Sequence, residues 1–309
     1  MSPYRLVTRS DFDGLACALL LRTRGLVDEI LFVHPKDVQD GKVAITSNDI
    51  TTNLPYSPEC HLCFDHHASE AVRTAGAARK NLVLDPSAPS AARVVWNHFG
   101  GPTAFPGISE TMMAAVDKAD SAGFTRNDVL NAEGWELLSF LMDARTGLGR
   151  FHKFAISNYQ LMMELIDYCK EGSAESVLAR PHVAERVNVY REHEQKFKDQ
   201  VLKCTTVHGK LALYDLRNEA DIYAGNRFVL YALFPQCNIS ATVMWGRDKK
   251  NTVVAIGKSI FDRDSKTDVG ALCLGYGGGG HVAAGTCQPS NEDAERVITE
   301  IVKQINADG

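Results

Sequence analysis

The stretch "YRLVTRSDFDGLACALLLRTRG", Tyr4–Gly25, decides how the chain is read. Tyr4–Thr8 has the apolar and β-branched residues of a buried strand. An acid-bearing turn follows, and then an apolar segment from Gly14 that suits a buried helix. Strand, turn and helix in that order open a unit of parallel sheet. The rhythm then repeats. Strands are expected at Glu29–His34, within Lys42–Tyr56 (stopped by Pro55), at His61–Phe64 and at Asn81–Asp85. Helices are expected at Ala68–Lys80, Pro89–Phe99 and Ser109–Asp120. The fold class is therefore α/β, with a mostly parallel N-terminal sheet carrying helices on both faces.

From Glu133 to Lys203 the texture changes to long helical segments that link to a second, smaller α/β region. Its expected strands are Lys210–Leu216, Arg227–Pro235, Asn238–Trp245 and Thr252–Ser259, followed by a helix, a glycine run and a terminal helix over Asn291–Asn306. The domains are set at 1–190 and 206–309, with the boundary between Glu185 and His208. The length of 309 residues accommodates two domains, and 45% hydrophobic residues supply their cores.

A formal charge of −5 argues against a general coat for long nucleic acid, which needs a broad basic surface. It leaves room for a small phosphate-bearing ligand in a local basic pocket. The N-terminus lacks the apolar run of a signal peptide, and no stretch is long and apolar enough to span a bilayer. The eight cysteines are scattered, as in a reduced cytoplasmic protein. Cys60 and Cys63 form one C-x-x-C, but no second pair follows to complete a zinc site.

Four groups of residues carry chemistry. Asp11 and Asp13 lie between a strand and a helix, where open α/β sheets build their sites. Two such carboxylates repel each other unless a cation lies between them, although Asp13 or Ser10 would also serve as a helix cap. Asp65, His66 and His67, in "CFDHHASE", stand at the end of another strand. Their mixed oxygen and nitrogen donors suit manganese, iron or zinc better than magnesium. Asp117 and Asp120, in "AVDKADSAG", close an apolar helix at the end its dipole makes unfavourable for acids, or are simply an exposed helix end. Last, Gly275–Gly285, "GYGGGGHVAAG", exposes backbone amides that can cradle an anion, with His281 as a polar tip.

"SDFDG", "FDHHASE", "KADSAG" and "GYGGGGHVAAG", in that order, resemble the DHH phosphoesterase superfamily with a C-terminal DHHA1 domain. The resemblance spans almost the whole chain, and its length is that of the nanoRNase and exopolyphosphatase-related group. It implies one or two divalent metals, usually manganese, and an attack by activated water in line on phosphorus. Carried over residue by residue, it makes Asp11, Asp13, His66 and Asp120 the metal-binding residues, with Asp117 second to Asp120. Asp65 supports the site, and His67 faces the scissile phosphate. Gly278, Gly279, Gly280 and His281 match the substrate-holding motif, and Lys258 and Arg227 would assist them.

Three departures stand out. Relatives place a histidine or acid just before the first aspartates, where this chain has Val7, Thr8 and Arg9. A guanidinium cannot coordinate a cation. Arg9 is expected to pair with Asp11 or Asp13, or to reach a substrate phosphate, unless it merely points to solvent. Relatives also carry a bridging aspartate before the DHH triplet, for which "NDITTNLPY" offers either Asp49 or Asn53. Lys258 stands where relatives often have arginine.

The resemblance implies a metal-dependent phosphodiesterase that cleaves linear dinucleotides or nanoRNA to mononucleotides. The alternatives are a phosphatase for polyphosphate or nucleoside bisphosphates, and a nucleotide-binding protein with a degenerate metal site. The expected partner is a short nucleotide, with neither long nucleic acid nor membrane. A homodimer would use an exposed helix such as the one carrying "MMAAV".

Overall fold

The computed structural model describes residues 3–73 and 79–309. The chain divides into two compact units, one formed by the stretch to Phe124 with Ala132–Ala144 and His152–Asn188, the other by Thr125–Asn131, Arg145–Phe151 and Val189–Gly309.

The first unit opens with β1 (Tyr4–Arg9), α1 (Phe12–Thr23) and β2 (Val27–Val33), followed by α2 (Pro35–Gln39), β3 (Asp49–Thr52), β4 (Leu62–Asp65), α3 (Ala68–Arg73) and β5 (Leu82–Leu84). The expected helix Ala68–Lys80 is thus observed to Arg73, and residues 74–78 lie outside the described residues. The five strands form one parallel sheet in the order β2-β1-β3-β4-β5. Leu6, Val7 and Thr8 of β1 are fully buried, as expected of a central parallel strand covered on both faces. α1 is buried without a break from Phe12 to Leu21, so it lies inside the unit rather than on it. That fixes the turn before it.

Helices α4 (Ala91–Phe99), α5 (Glu110–Asp120), α7 (Gly134–Met142), α8 (Asn158–Glu171) and α9 (Ala174–Leu178) complete this unit, and α6 (Arg126–Leu130) belongs to the second. The boundary falls within α10 (Pro181–Cys204). The "MMAAV" segment is not an exposed apolar face. Met112, Met113, Ala115 and Val116 are all buried in the core, and of that segment only Ala114 is exposed.

In the second unit β6 (Thr205–His208), β7 (Leu211–Asp215), β8 (Ile239–Trp245), β9 (Thr252–Lys258), β10 (Gly279–His281) and β11 (Ala284–Cys287) form a mixed sheet in the order β10-β11-β9-β8-β7-β6. Helices α12 (Val269–Leu274) and α13 (Ala294–Asp308) accompany it, and residues of both pack into its core. One expectation needs correction. Arg227–Pro235 is not a strand but contains the short helix α11 (Val229–Leu233). Phe228–Ala232 is buried on all sides, so the run has no period to separate helix from strand. The glycine run includes β10, hairpin partner of β11.

Candidate metal centre

Strand order 2-1-3-4-5 reverses direction between β1 and β3. Ligand sites of open α/β sheets form at that point, beyond the carboxyl ends of the strands. Here the chain leaves β1 at Arg9 and β3 at Asn53. Thr8 and Thr52 seam the two ends through buried hydroxyls: Thr52 Oγ1 donates to Thr8 Oγ1 at 2.7 Å, and Thr8 Oγ1 to the Thr52 carbonyl at 3.2 Å.

Asp11 is the N-cap of α1, accepting the Gly14 amide on Oδ1 at 2.9 Å. Gly14 has no alternative there, because a Cβ would fall 1.9 Å from the Arg9 carbonyl oxygen. This close approach folds α1 tightly onto the end of β1. Two residues after Asp11, Asp13 is 2% exposed and points into the unit. It accepts the amides of Ala91 and Ala92, at 3.1 and 2.7 Å, from the first turn of α4. Burial, then the charges of Asp120 and Asp11, push its carboxyl well above the usual range despite those amides. A buried acid with two acids beside it lacks a counter-cation.

At the end of β4, Asp65 is 1% exposed. Its Oδ1 binds His67 Nδ1 at 2.7 Å, while Oδ2 is buried with no hydrogen-bond partner. His66 turns the other way. Its Nδ1 meets the Ala88 carbonyl at 3.2 Å, which fixes that nitrogen as an N–H and turns Nε2 toward the acids. Nε2 is buried and lies 2.9 Å from Asp120 Oδ2, an ion pair when the ring is protonated and a free donor atom when a metal takes the proton's place. Burial works to lower the His66 pKa, but Asp120, Asp13 and Asp65 outweigh it and raise it to about 9.

One donor atom each from Asp13, His66 and Asp120 lies within 4.8 Å of the others, and Asp65, His66 and His67 form a second such group. The inward-facing Nε2, the unpartnered Asp65 oxygen and the Asp13 carboxyl crowded by two other acids fit a divalent cation with mixed oxygen and nitrogen donors.

Several expected residues lie elsewhere. Asp49 starts β3, about 10 Å from its carboxyl end at 3.3 Å per residue. Arg5 Nε and Nη2 bind it at 2.6 and 2.9 Å, and Thr46 donates amide and hydroxyl. It is a fastening at the opposite edge of the sheet, not a ligand. Asn53 is the residue at the site, buried, in the left-handed region (φ 53°), with Nδ2 3.3 Å from Asp11 Oδ1. Asp117 is also occupied, by Ser90 Oγ at 2.7 Å and Arg93 at 2.5 and 2.8 Å, which braces α5 against α4. Arg9 does pair with Asp11, Nε to Oδ2 at 2.9 Å.

In the second unit, Gly278 and Gly280 are packing residues: a Cβ on either would fall 2.1–2.2 Å from a carbonyl oxygen of β11. Gly279 has open space where a side chain would be, and His281 beside it is exposed. Lys258 ends β9 next to the hairpin, its amide on Ala283 O at 2.9 Å and its Nζ on Ser265 O at 3.0 Å. Exposed Arg227 lies over the Phe228 ring. Tyr231 connects this region to β9 by donating to the Gly257 carbonyl at 2.6 Å.

Sequence reasoning missed the parts that hold the site rather than form it. These are the α4 amides on Asp13, the Ala88 carbonyl on His66, and Glu70, buried, whose Oε2 accepts the Tyr56 amide at 2.7 Å in the loop after Asn53. Ser90, preceding an apolar run, was the readable signal for the first of them, as a helix N-cap.

Among solved structures, a pGpG-specific phosphodiesterase, PggH from Vibrio cholerae, is 59% identical, with a TM-score of 0.90 over 99% of this chain and 100% of that one. The chain belongs to the DHH phosphoesterase superfamily. An exopolyphosphatase-related protein from Bacteroides fragilis (12% identity, TM-score 0.53, 98% and 92% covered) and CDC45 from Entamoeba histolytica (9%, 0.53, 99% and 95%) share the fold. No family model and no curated protein matches the chain. No helix among the described residues is long and apolar enough to cross a membrane.

Proposed function

We propose that the protein is a metal-dependent phosphodiesterase that cleaves a linear dinucleotide of the pGpG class to mononucleotides. The observation that carries this reading is the 59% identity to the pGpG-specific phosphodiesterase over essentially both whole chains. The donor set of Asp13, His66 and Asp120 supports it independently. Carboxylate with imidazole favours manganese among the common hard cations. A bound cation there supplies positive charge to the phosphoryl group and lowers the pKa of attacking water.

The chain's own residues do the rest. Asp65 fixes the His67 ring through Nδ1, so the opposite nitrogen of this half-exposed side chain is available to a phosphoryl or leaving oxygen. Asp13 holds its position because two amides of α4 bind it. In the second unit, Gly279 leaves backbone open to close approach, and His281, Lys258 and Arg227 supply polar and cationic groups for a nucleotide. All eight cysteines are free thiols, which favours a reducing, cytoplasmic setting.

The test uses purified protein with manganese or magnesium, offered pGpG, other dinucleotides, a nucleoside bisphosphate and polyphosphate, with products resolved by chromatography. Mononucleotide from pGpG is the expected product. Orthophosphate without mononucleotide rejects the reading in favour of a phosphatase.

A further inference from the structure

Asp11 sits at the mouth of the centre, yet it is not one of the donors gathered around His66. Its Oδ1 is taken by the Gly14 amide at 2.9 Å and approached by Asn53 Nδ2 at 3.3 Å. Its Oδ2 is taken by Arg9 Nε at 2.9 Å. What sets Asp11 apart from the other acids is the positive charge already on it, because a cation seated on Asp11 would lie against the Arg9 guanidinium. Asn53 adds to this. At the end of β3 a carboxylate would repel Asp11, whereas the amide donates to it, so the mouth carries one negative charge fewer.

We infer that Arg9 is a fixed cation of the reaction centre, clamped on Asp11 to bind a phosphoryl oxygen of the substrate, and that the chain works with a single divalent ion held by Asp13, His66 and Asp120. This rests on the phosphodiesterase reading only for the identity of the phosphate. Asp11, Asp13, Asp65 and Asp120 then face one dication and one guanidinium, so the fixed guanidinium takes over part of the charge that a second metal would supply. Geometry suits the role. Arg9 is the last residue of β1, opposite Val33 of β2, and its backbone is pinned by the close approach of Gly14. The side chain is 37% exposed while anchored through Nε, so the outer edge of its planar fork is open to an incoming phosphate. A lysine at this position would be a point charge without that fork.

Metal counting and anion binding test the inference. Chelator-stripped wild type, Arg9→Gln and Arg9→Lys, each checked by circular dichroism, are dialysed against manganese and assayed by atomic absorption. Affinities for a pGpG phosphorothioate and for inorganic phosphate are measured alongside. The wild type is expected to retain about one tightly held ion per chain, and Arg9→Gln the same number, because the ligands are oxygen and nitrogen donors other than Asp11. Arg9→Gln is expected to weaken both anions by roughly tenfold to a hundredfold, the loss of a charge-assisted hydrogen bond, with Arg9→Lys between the two. Two tight ions in the wild type would overturn the inference. So would unchanged anion affinity in Arg9→Gln. The metal count uses no nucleotide, and phosphate is not specific to one substrate, so both results stand whether or not pGpG is cleaved. Failure to cleave pGpG by a protein that holds one ion would instead remove the phosphodiesterase reading alone.

Discussion

Asp13 and Asp49 are both aspartates buried to within 2% of full enclosure, on opposite edges of one sheet. At the amino edge, Asp49 has Arg5 and Thr46 on its oxygens. Burial alone would raise its pKa, but those hydrogen bonds outweigh it and hold the carboxyl below the usual range. At the carboxyl edge, Asp13 has two amides, but its neighbours are acids and its pKa is pushed far up. A buried carboxylate that the chain neutralises is a fastening. One crowded by other acids, beside an imidazole nitrogen that faces them, is the arrangement we propose for a cation. Position in the parallel sheet separates the two, since sites form where strands end.

The largest effect that would break this contrast is at Asp13. Asp13→Asn should lower turnover on the order of a thousandfold, comparable with losing a principal charge-stabilising group. In the metal-free state the relief of acid–acid repulsion should offset much of the α4 amide bond that asparagine cannot accept, so stability should change by no more than about 1–2 kcal/mol. Steady-state kinetics with thermal unfolding in chelator check both halves, and retained turnover would contradict the assignment. Asp120→Asn and Asp117→Asn sharpen it on a single helix. The first should lose activity with stability kept, and the second should lose stability through Ser90 and Arg93.

Asp49→Asn should do the reverse of Asp13→Asn. It strands Arg5, costing about 2–3 kcal/mol by urea unfolding, with turnover per folded molecule unchanged. Its pH signature follows from the depressed pKa. The contribution is present above the unfolded aspartate value of about 3.9 and is lost as pH falls through the lower folded value. Below about pH 4, therefore, the two should begin to approach each other in stability, and they should meet only once pH has passed below the depressed folded value.

Gly14→Ala probes the turn that joins the two aspartate environments to β1. A methyl 1.9 Å from the Arg9 oxygen must move the helix, at about 1–3 kcal/mol, and turnover should fall with it. Gly279→Ala is the mildest. Open space receives its methyl, so stability should hold while KM rises, roughly threefold to tenfold, if the substrate approaches there. Unchanged KM would remove Gly279 from the binding surface.

Much of the fold was legible because its signals are local and repeated. The turn after β1, the Asp65 strand end and the helix closed by Asp120 all announce themselves by an apolar run meeting acids. What could not be read depends on direction and on partners distant in sequence. Asp49 and Asn53 bracket one short strand, and only its parallel alignment with β1 shows that Asn53 is at the site. Asp117 and Asp120 share a helix end, and only Arg93 and Ser90, from another helix, tell them apart. Apolarity on every side hid α11 as a helix, and burial of Met112 and Met113 undid their reading as a docking face. The glycines stood out as a group, but identical letters conceal different reasons. Gly278 and Gly280 make room for β11, and Gly279 does not.

The most direct test of the central claim is an anomalous difference map from a crystal soaked in manganese. One strong peak is expected in bonding contact with a carboxylate oxygen of Asp13, His66 Nε2 and a carboxylate oxygen of Asp120, with Arg9 still on Asp11. A peak seated instead on Asp11 beside Asn53 with Arg9 displaced, or no peak at the His66 cluster, would contradict it.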